Sequence, residues 1–256
     1  QACAHFAQVL ATHDLPPATT SIDQLSPEWM GWMIQYLRPF AVATEQLYLT
    51  ALFGFFEHAA AEGWSTVNLP AVRQLVRRRQ RRQAGRLPDF PQREIERTLD
   101  YVNSFVSQTP LPDAQAALRA LRDRTFLYVL ADTGLRVAEA CGLTRGHLDW
   151  HESRAIVLGK GDREAVVRFS ERSLRFARHY LDARATLDGS QGKPLRSLPL
   201  FARHDRAAGQ HVLPISTRSA ENIVEGWVVA ALGESARGRI TPHTFRHYFV
   251  TTVLRA

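Results

Sequence analysis

Residues 154–169, RAIVLGKGDREAVVRF, break the pattern of the rest of this 256-residue chain. RAIVLG and REAVVRF are short runs rich in β-branched and apolar residues. Lys160, Gly161 and Asp162 separate them. Two such runs around a Gly-containing turn form a β-hairpin. Elsewhere the apolar residues recur at the 3.6-residue period of an amphipathic helix. The chain is therefore expected to be mainly α, with a small β-hairpin or sheet set among helices.

Immediately before the hairpin, REIERTLDYVNSF (93–105), DAQAALRALRDRTFLYVLADTG (113–134) and LRVAEACGL (135–143) have helical period, with Gly134 as a stop. After it come ERSLRFARHYLDARATL (171–187), STRSAENIVEGWVVAALG (216–233) and TPHTFRHYFVTTVLRA (241–256). In the last, Thr241 serves as cap and Pro242 occupies the first turn. Farther upstream lies a separate helical set. It has a helix near residues 2–12, then one capped by Ser26 with Pro27 at its first position and Trp29, Met30, Met33, Ile34 and Leu37 on its apolar face. A strongly apolar helix follows, with Thr44 as cap and Gly63 as stop, and then VNLPAVRQLVRRRQRRQ (67–83), which turns basic. An arginine run ending in Gly85, Pro88 and Pro91 reads as a linker. The expected organisation is a helical N-terminal domain over 1–82, a basic Pro/Gly linker over 83–91 and a second domain over 92–256.

Charge is divided unevenly. The net charge is +7. Residues 1–70 hold one cation, Arg38, against Asp14, Asp23, Glu28, Glu45, Glu57 and Glu62, so the surplus of arginine lies downstream. Such a basic region suits a polyanion such as nucleic acid, and equally a surface of solvated arginines. No apolar run is long enough to span a bilayer. The start lacks the basic flank and cleavage site of a signal peptide. Cys3 and Cys141 have no paired spacing, which fits a reducing cytoplasm and argues against a disulfide framework. The opening Gln1, in place of Met, leads us to expect a fragment or processed chain.

Arg136 follows a Thr-Gly turn and opens a helix; Lys160 sits in the hairpin turn; His243 and Arg246 lie three apart and share a helix face. Two guanidiniums can clamp the non-bridging oxygens of a phosphodiester and stabilise charge as phosphorus becomes five-coordinate. A lysine can protonate a leaving oxygen, and a histidine can take a proton from an incoming hydroxyl. Lys160 and Lys193 are the only lysines among 32 cations, and lysine releases a proton where arginine does not. His147 and His151, like His243 and His247, are spaced for two ligands on one helix. Neither pair has a third ligand nearby in sequence, so no metal site is expected. Trp29, Trp32, Trp150 and Trp227 read as packing residues.

In these motifs the chain resembles the tyrosine recombinases of the phage integrase and Xer type. TGLRVAEACGL is similar to the first arginine motif, GKGDR to the hairpin-turn lysine and PHTFRH to the His-x-x-Arg motif, in the family's order. RLPDFPQREIERTL and LFARHDRAAGQHVLPIS are similar to flanking stretches, and the likeness runs over about residues 40–256, strongly from 86 onward. The resemblance implies a helical core-binding (SAM-like) N-terminal domain followed by a catalytic domain. It implies site-specific cleavage and rejoining of double-stranded DNA through a 3′-phosphotyrosyl bond, without metal or other cofactor.

Under that resemblance Arg136 and Arg246 clamp the phosphate, Lys160 is the general acid and His243 acts on the nucleophile's proton. Glu139 and His247 support the site. Arg73, Arg77, Arg78, Arg79, Arg81, Arg82 and Arg86 are candidates for a strap on the DNA backbone. The nucleophilic tyrosine and a second phosphate-binding histidine are expected beyond Ala256. Tyr248, two residues after Arg246, holds a position the family fills with packing residues. The whole protein is expected to form a homotetramer on DNA in the cytoplasm, and this fragment to be a monomer that binds DNA better than it cuts it. The rivals are a non-catalytic basic DNA-binding protein on the same fold and a type IB topoisomerase.

Overall fold

The computed structural model describes residues 1–81, 90–158 and 164–253. Its contacts divide the chain into two units, Gln1–Pro88 and Asp89–Ala256. The first contains α1 (Ala2–Ala11), α2 (Pro27–Tyr36), α3 (Val42–Ala61) and α4 (Leu69–Arg79). Their apolar faces enclose Phe6, Met30, Met33, Leu37, Leu52 and Phe56, all buried. Ser26 Oγ accepts from the Glu28 N–H and Asn68 Oδ1 from the Ala71 N–H, which satisfies donors that the first turns of α2 and α4 leave free.

Thr44 is not the cap of α3. That helix begins at Val42, and Ala41 at its N-cap makes no side-chain cap. A tertiary ion pair governs this corner instead. Glu45, in the first turn, is fully buried; it accepts from the Arg81 backbone N–H at 2.8 Å and pairs with the Arg81 guanidinium. The same guanidinium donates to the Phe40 carbonyl, and the Gln46 amide donates to the Arg81 carbonyl at 3.1 Å. A carboxylate here also faces the positive end of the α3 dipole. The pair explains why α4 stops at Arg79: Gln80 turns extended so that Arg81 can reach Glu45.

The second unit is built on α6 (Ala114–Thr133), whose Phe126, Leu127, Val129 and Leu130 are completely enclosed. Helices α5 (Gln92–Gln108), α8 (Glu171–Ala183) and α11 (Pro242–Val253) pack against it, and α10 (Thr217–Leu232) lies on α5 and on α7 (Val137–Cys141). The strands are β2 (Arg154–Leu158) and β3 (Glu164–Arg168), antiparallel with Ile156 opposite Val166, joined by a short β1 (Leu148–Asp149) on the far edge of β2. The architecture is thus mainly helical with a three-stranded antiparallel sheet. His147 and His151 do not share a helix: His147 ends a single 3-10 turn, where its Nδ1 accepts from the Thr144 N–H, and His151 lies past β1. No helix among the described residues is long and apolar enough to cross a membrane.

The helix expected over 171–187 is divided at Arg184 into α8 and α9 (Ala185–Gly189). The break places a fully buried guanidinium against the Pro199 carbonyl at 2.8 Å, the Leu200 carbonyl at 3.1 Å and the Tyr180 hydroxyl at 2.9 Å. Asp188, also buried, neutralises it at 2.8 Å and pairs in addition with Arg145. Tyr180 Oη accepts from Arg184 and from the Ala202 N–H, so its own proton goes to His204 Nε2 at 2.8 Å. His204 is thereby a neutral acceptor. Burial, together with the charges of Arg122, Arg184 and Arg119, pushes its pKa down to about 3.

This histidine makes stability depend on pH. Its folded value lies below the unfolded one, so its contribution is complete above about pH 6.5 and is withdrawn as pH falls toward 3. Between those limits the unfolded chain binds a proton that the folded chain refuses, a slope of up to about 1.4 kcal/mol per pH unit. Urea unfolding between pH 7 and 5 should show a shallower loss of stability in His204→Gln, which keeps an acceptor, than in the parent chain. Equal slopes would mean that another group titrates.

Candidate functional site

Helix α6 ends at Gly134, whose φ of +61° closes the helix in the left-handed conformation. A side chain there is excluded twice, because a Cβ would also lie 2.3 Å from Cδ1 of Phe249 on α11. The turn delivers Arg136 to the N-cap of α7 in an extended conformation, with its side chain exposed. Glu139, three residues on, accepts from the Arg136 backbone N–H at 2.8 Å and from its Nη1 at 2.7 Å. Partial burial pushes the Glu139 carboxyl up, but those hydrogen bonds and the charges of Arg136 and Arg246 outweigh it and hold the group below the usual carboxylate range.

Arg246 reaches the same turn from α11. Its half-buried guanidinium donates to the Gly134 carbonyl at 2.6 Å. Phe245, fully buried, fixes which face of α11 meets the core, and that places His243, Arg246 and His247 toward the outer side. The first turn of α11 is held by Thr241 and Thr244: the Thr241 N–H donates to Thr244 Oγ1 at 3.1 Å, and the Thr244 N–H to Thr241 Oγ1 at 3.4 Å. His243 and Val137 of α7 line a groove of about 410 Å³ together with Arg218 and Glu221 of α10. His243 Nε2 lies 2.9 Å from His247 Nε2. Arg136, Glu139 and Arg246 thus come together from two helices at one glycine turn, and His243 and His247 lie on the same helix as Arg246. Lys160, between β2 and β3, lies outside the described residues.

The basic stretch is less uniform than its sequence. Arg73, Arg77, Arg78 and Arg79 are exposed. Arg73 pairs with Glu57 at 3.2 Å and lies over the Phe53 ring. Arg77 and Arg78 have no acidic partner among the described residues. Arg81, expected with them, has its guanidinium committed to Glu45 and the Phe40 carbonyl. Arg82 and Arg86 lie outside the described residues.

The tyrosines face other tasks. Tyr128 donates to the Leu99 carbonyl at 3.1 Å, and Tyr180 belongs to the Arg184 network. In the first unit Tyr36 donates to Gln8 and Tyr48 to Gln1. Tyr101 lies against Phe105 and Trp227. Tyr248 is half-buried against the core; burial and the charge of Glu96 push its phenol up, away from the easily ionised range. Trp227, read from sequence as packing, also donates to Asp123 at 3.1 Å. No group of three metal-ligating side chains converges among the described residues. Sequence reading missed the buried charges Glu45, Arg184 and Asp188, and the half-buried Arg145 that pairs with Asp188. The i, i+4 spacing of Arg184 and Asp188 was the one available signal.

Residues 91–256 match the phage integrase family. The chain belongs to that family. Among curated relatives, tyrosine recombinase XerC of Pelobacter propionicus is 35% identical over 136 residues, 52% of this chain and 39% of the relative. XerC of Thermodesulfovibrio yellowstonii is 29% identical over 220 residues, 86% of this chain and 65% of the relative. This integrase-family chain therefore spans less than two thirds of the length of these relatives. Its fold is shared with XerH site-specific recombinase bound to a palindromic difH substrate in a post-cleavage complex; the TM-score is 0.62 at 14% identity, covering 98% of this chain and 65% of that one.

Replacing Gly134 tests how tightly the two helices meet. Gly134→Ala forces both an unfavourable φ and a collision with Phe249, so it should cost on the order of 2 kcal/mol or more in urea unfolding. A loss under about 0.5 kcal/mol, the range of ordinary surface changes, would show that the turn is not the joint described here.

Proposed function

We propose that this chain carries the phosphate-activating half of a site-specific DNA recombinase, which cuts and rejoins double-stranded DNA through a 3′-phosphotyrosyl intermediate. The observation that carries the reading is that Arg246 bonds the Gly134 carbonyl, two residues before Arg136, so that both guanidiniums act on Glu139, in a chain of the phage integrase family. Relatives named tyrosine recombinases, and a neighbour of the same fold bound to its DNA substrate, support it.

In this reading the two guanidiniums hold the non-bridging oxygens of the scissile phosphate. Their charge counters what builds as phosphorus becomes five-coordinate. Glu139, kept ionised by its neighbours, braces Arg136 in the direction of the phosphate. A tyrosine oxygen attacks phosphorus and gives its proton to His243; the 5′-oxygen leaves and takes a proton from Lys160. The new P–O bond replaces the one broken, so rejoining needs no nucleotide, and the arginines supply the charge for which other phosphoryl-transfer sites use a metal. None of the described tyrosines fits the nucleophile's place: Tyr128 and Tyr180 are buried in hydrogen-bonded positions, and Tyr248 packs against the core.

The first unit acts as the core-binding domain, and Arg77, Arg78 and Arg79 supply its strap along the backbone. The functional assembly is a homotetramer on DNA, working in the cytoplasm.

Two measurements test this. Nicked DNA that traps the covalent intermediate should yield a protein–DNA adduct with a longer protein containing these residues, and none with residues 1–256 alone. Arg136→Ala and Arg246→Ala should each reduce adduct formation by at least 100-fold, on the order expected for losing a preorganised charge contact. An adduct from residues 1–256, abolished by Tyr248→Phe, would overturn the tyrosine assignment. DNA binding without any adduct would favour a non-catalytic DNA-binding protein. Separately, charge reversal of Arg77, Arg78 and Arg79 should weaken DNA binding and flatten its dependence on salt concentration. Unchanged affinity would remove the strap.

A further inference from the structure

The His243–His247 pair is joined by a bent hydrogen bond. The Nε2 atoms are 2.9 Å apart, while the ring centroids are only 4.4 Å apart and the planes nearly perpendicular, at 87°. A straight N–H···N bond between two imidazoles, the preferred alignment, would place the centroids about 5 Å apart. At 4.4 Å the rings are folded about the line joining the nitrogens. A divalent metal sits about 2.0–2.1 Å from each imidazole nitrogen. If it subtends a right angle, the nitrogens stand about 2.9 Å apart and the centroids about 4.5 Å. A tetrahedral angle would spread the nitrogens to about 3.3 Å. The pair is thus pre-shaped for the right-angled coordination that imidazole gives to nickel or copper, more closely than for tetrahedral zinc.

We propose that His243 and His247 form a bidentate site for a divalent transition metal of right-angled geometry, and that filling it silences strand cleavage by removing the His243 imidazole from proton transfer. Both side chains are exposed, so water or a phosphate oxygen can complete the coordination sphere. They stand one turn apart on α11, which lets both imidazoles reach one ion. The nearby cations are partly countered: Arg136 is paired with Glu139, and Arg246 is directed at the Gly134 carbonyl. The metal is an inhibitor here, with no part in the reaction. The binding site stands on geometry alone; the silencing rests on the role proposed above for His243.

The probe is Ni²⁺, which does not oxidise the exposed Cys3 thiol. Calorimetric titration of residues 1–256 should show one equivalent bound. His243→Ala and His247→Ala should each weaken it tenfold or more, and His151→Ala, an exposed histidine elsewhere, should leave it unchanged. Equal affinity in His247→Ala, or no saturable binding in the parent chain, would overturn the site. In the trapped-cleavage assay on the longer protein, Ni²⁺ should suppress the adduct with the midpoint seen in calorimetry, and a chelator should restore it. Binding without suppression would overturn the silencing. Absence of adduct before any metal is added would instead count against the recombinase reading, and the calorimetry would still decide the site.

Discussion

The hydrogen bond from the Arg246 guanidinium to the Gly134 carbonyl sets the position of everything else in the candidate site. It joins the last described helix to the turn that presents Arg136. A charged donor on a backbone carbonyl contributes about 1.5–3 kcal/mol, modest beside the core. Its larger effect is on register. A slip of one residue along α11 would rotate Arg246 and His243 off the shared face, and would also take Phe249 out of the space left by the missing Gly134 side chain. One turn therefore has three conditions to meet at once: a left-handed backbone, an unobstructed surface for Phe249 and an open carbonyl for Arg246. Glycine is the residue that meets all of them.

Within each unit the protein uses charge in two different ways. Arg136, His243 and the arginines at the end of α4 remain accessible to solvent. Arg81 and Arg184 are turned inward and satisfied by carbonyls and by the buried carboxylates of Glu45 and Asp188. Removing one partner of such a pair strands a charge away from water, so these interactions define geometry more than they add stability. Each holds a place where regular structure must stop: the corner before α3 in one case, the break between α8 and α9 in the other.

How much of this was legible in the sequence follows from the range of the forces. The β2–β3 strands were, because alternating β-branched residues next to a Gly turn differ from helical period within a few positions. The end of α6 at Gly134 and the opening of α7 at Arg136 were, because the left-handed cap is local. Residues Arg136, His243 and Arg246 could be grouped as one chemistry from their types and motifs. The bond of Arg246 to the Gly134 carbonyl is a contact across 112 residues that no local pattern encodes. Thr44 misled because a capping residue was present while a buried ion pair, closed from 36 residues away, decided where the helix starts. Arg81 looked like its exposed neighbours for the same reason. The break at Arg184 was hidden because the carbonyls that hold its guanidinium, Pro199 and Leu200, belong to a later loop.

The Arg145–Asp188–Arg184 cluster also shapes how this protein can diverge. A fully buried carboxylate shared by two guanidiniums has no neutral single-step neighbour in sequence space. Losing Asp188 leaves two cations facing each other; losing Arg184 leaves three polar partners, among them Tyr180, without their donor. Change at these positions has to be concerted, through an intermediate that is poorly folded or rescued elsewhere. The cluster should therefore behave in descendants as a single inherited character, kept whole or replaced whole, while the exposed arginines of α4 drift one at a time.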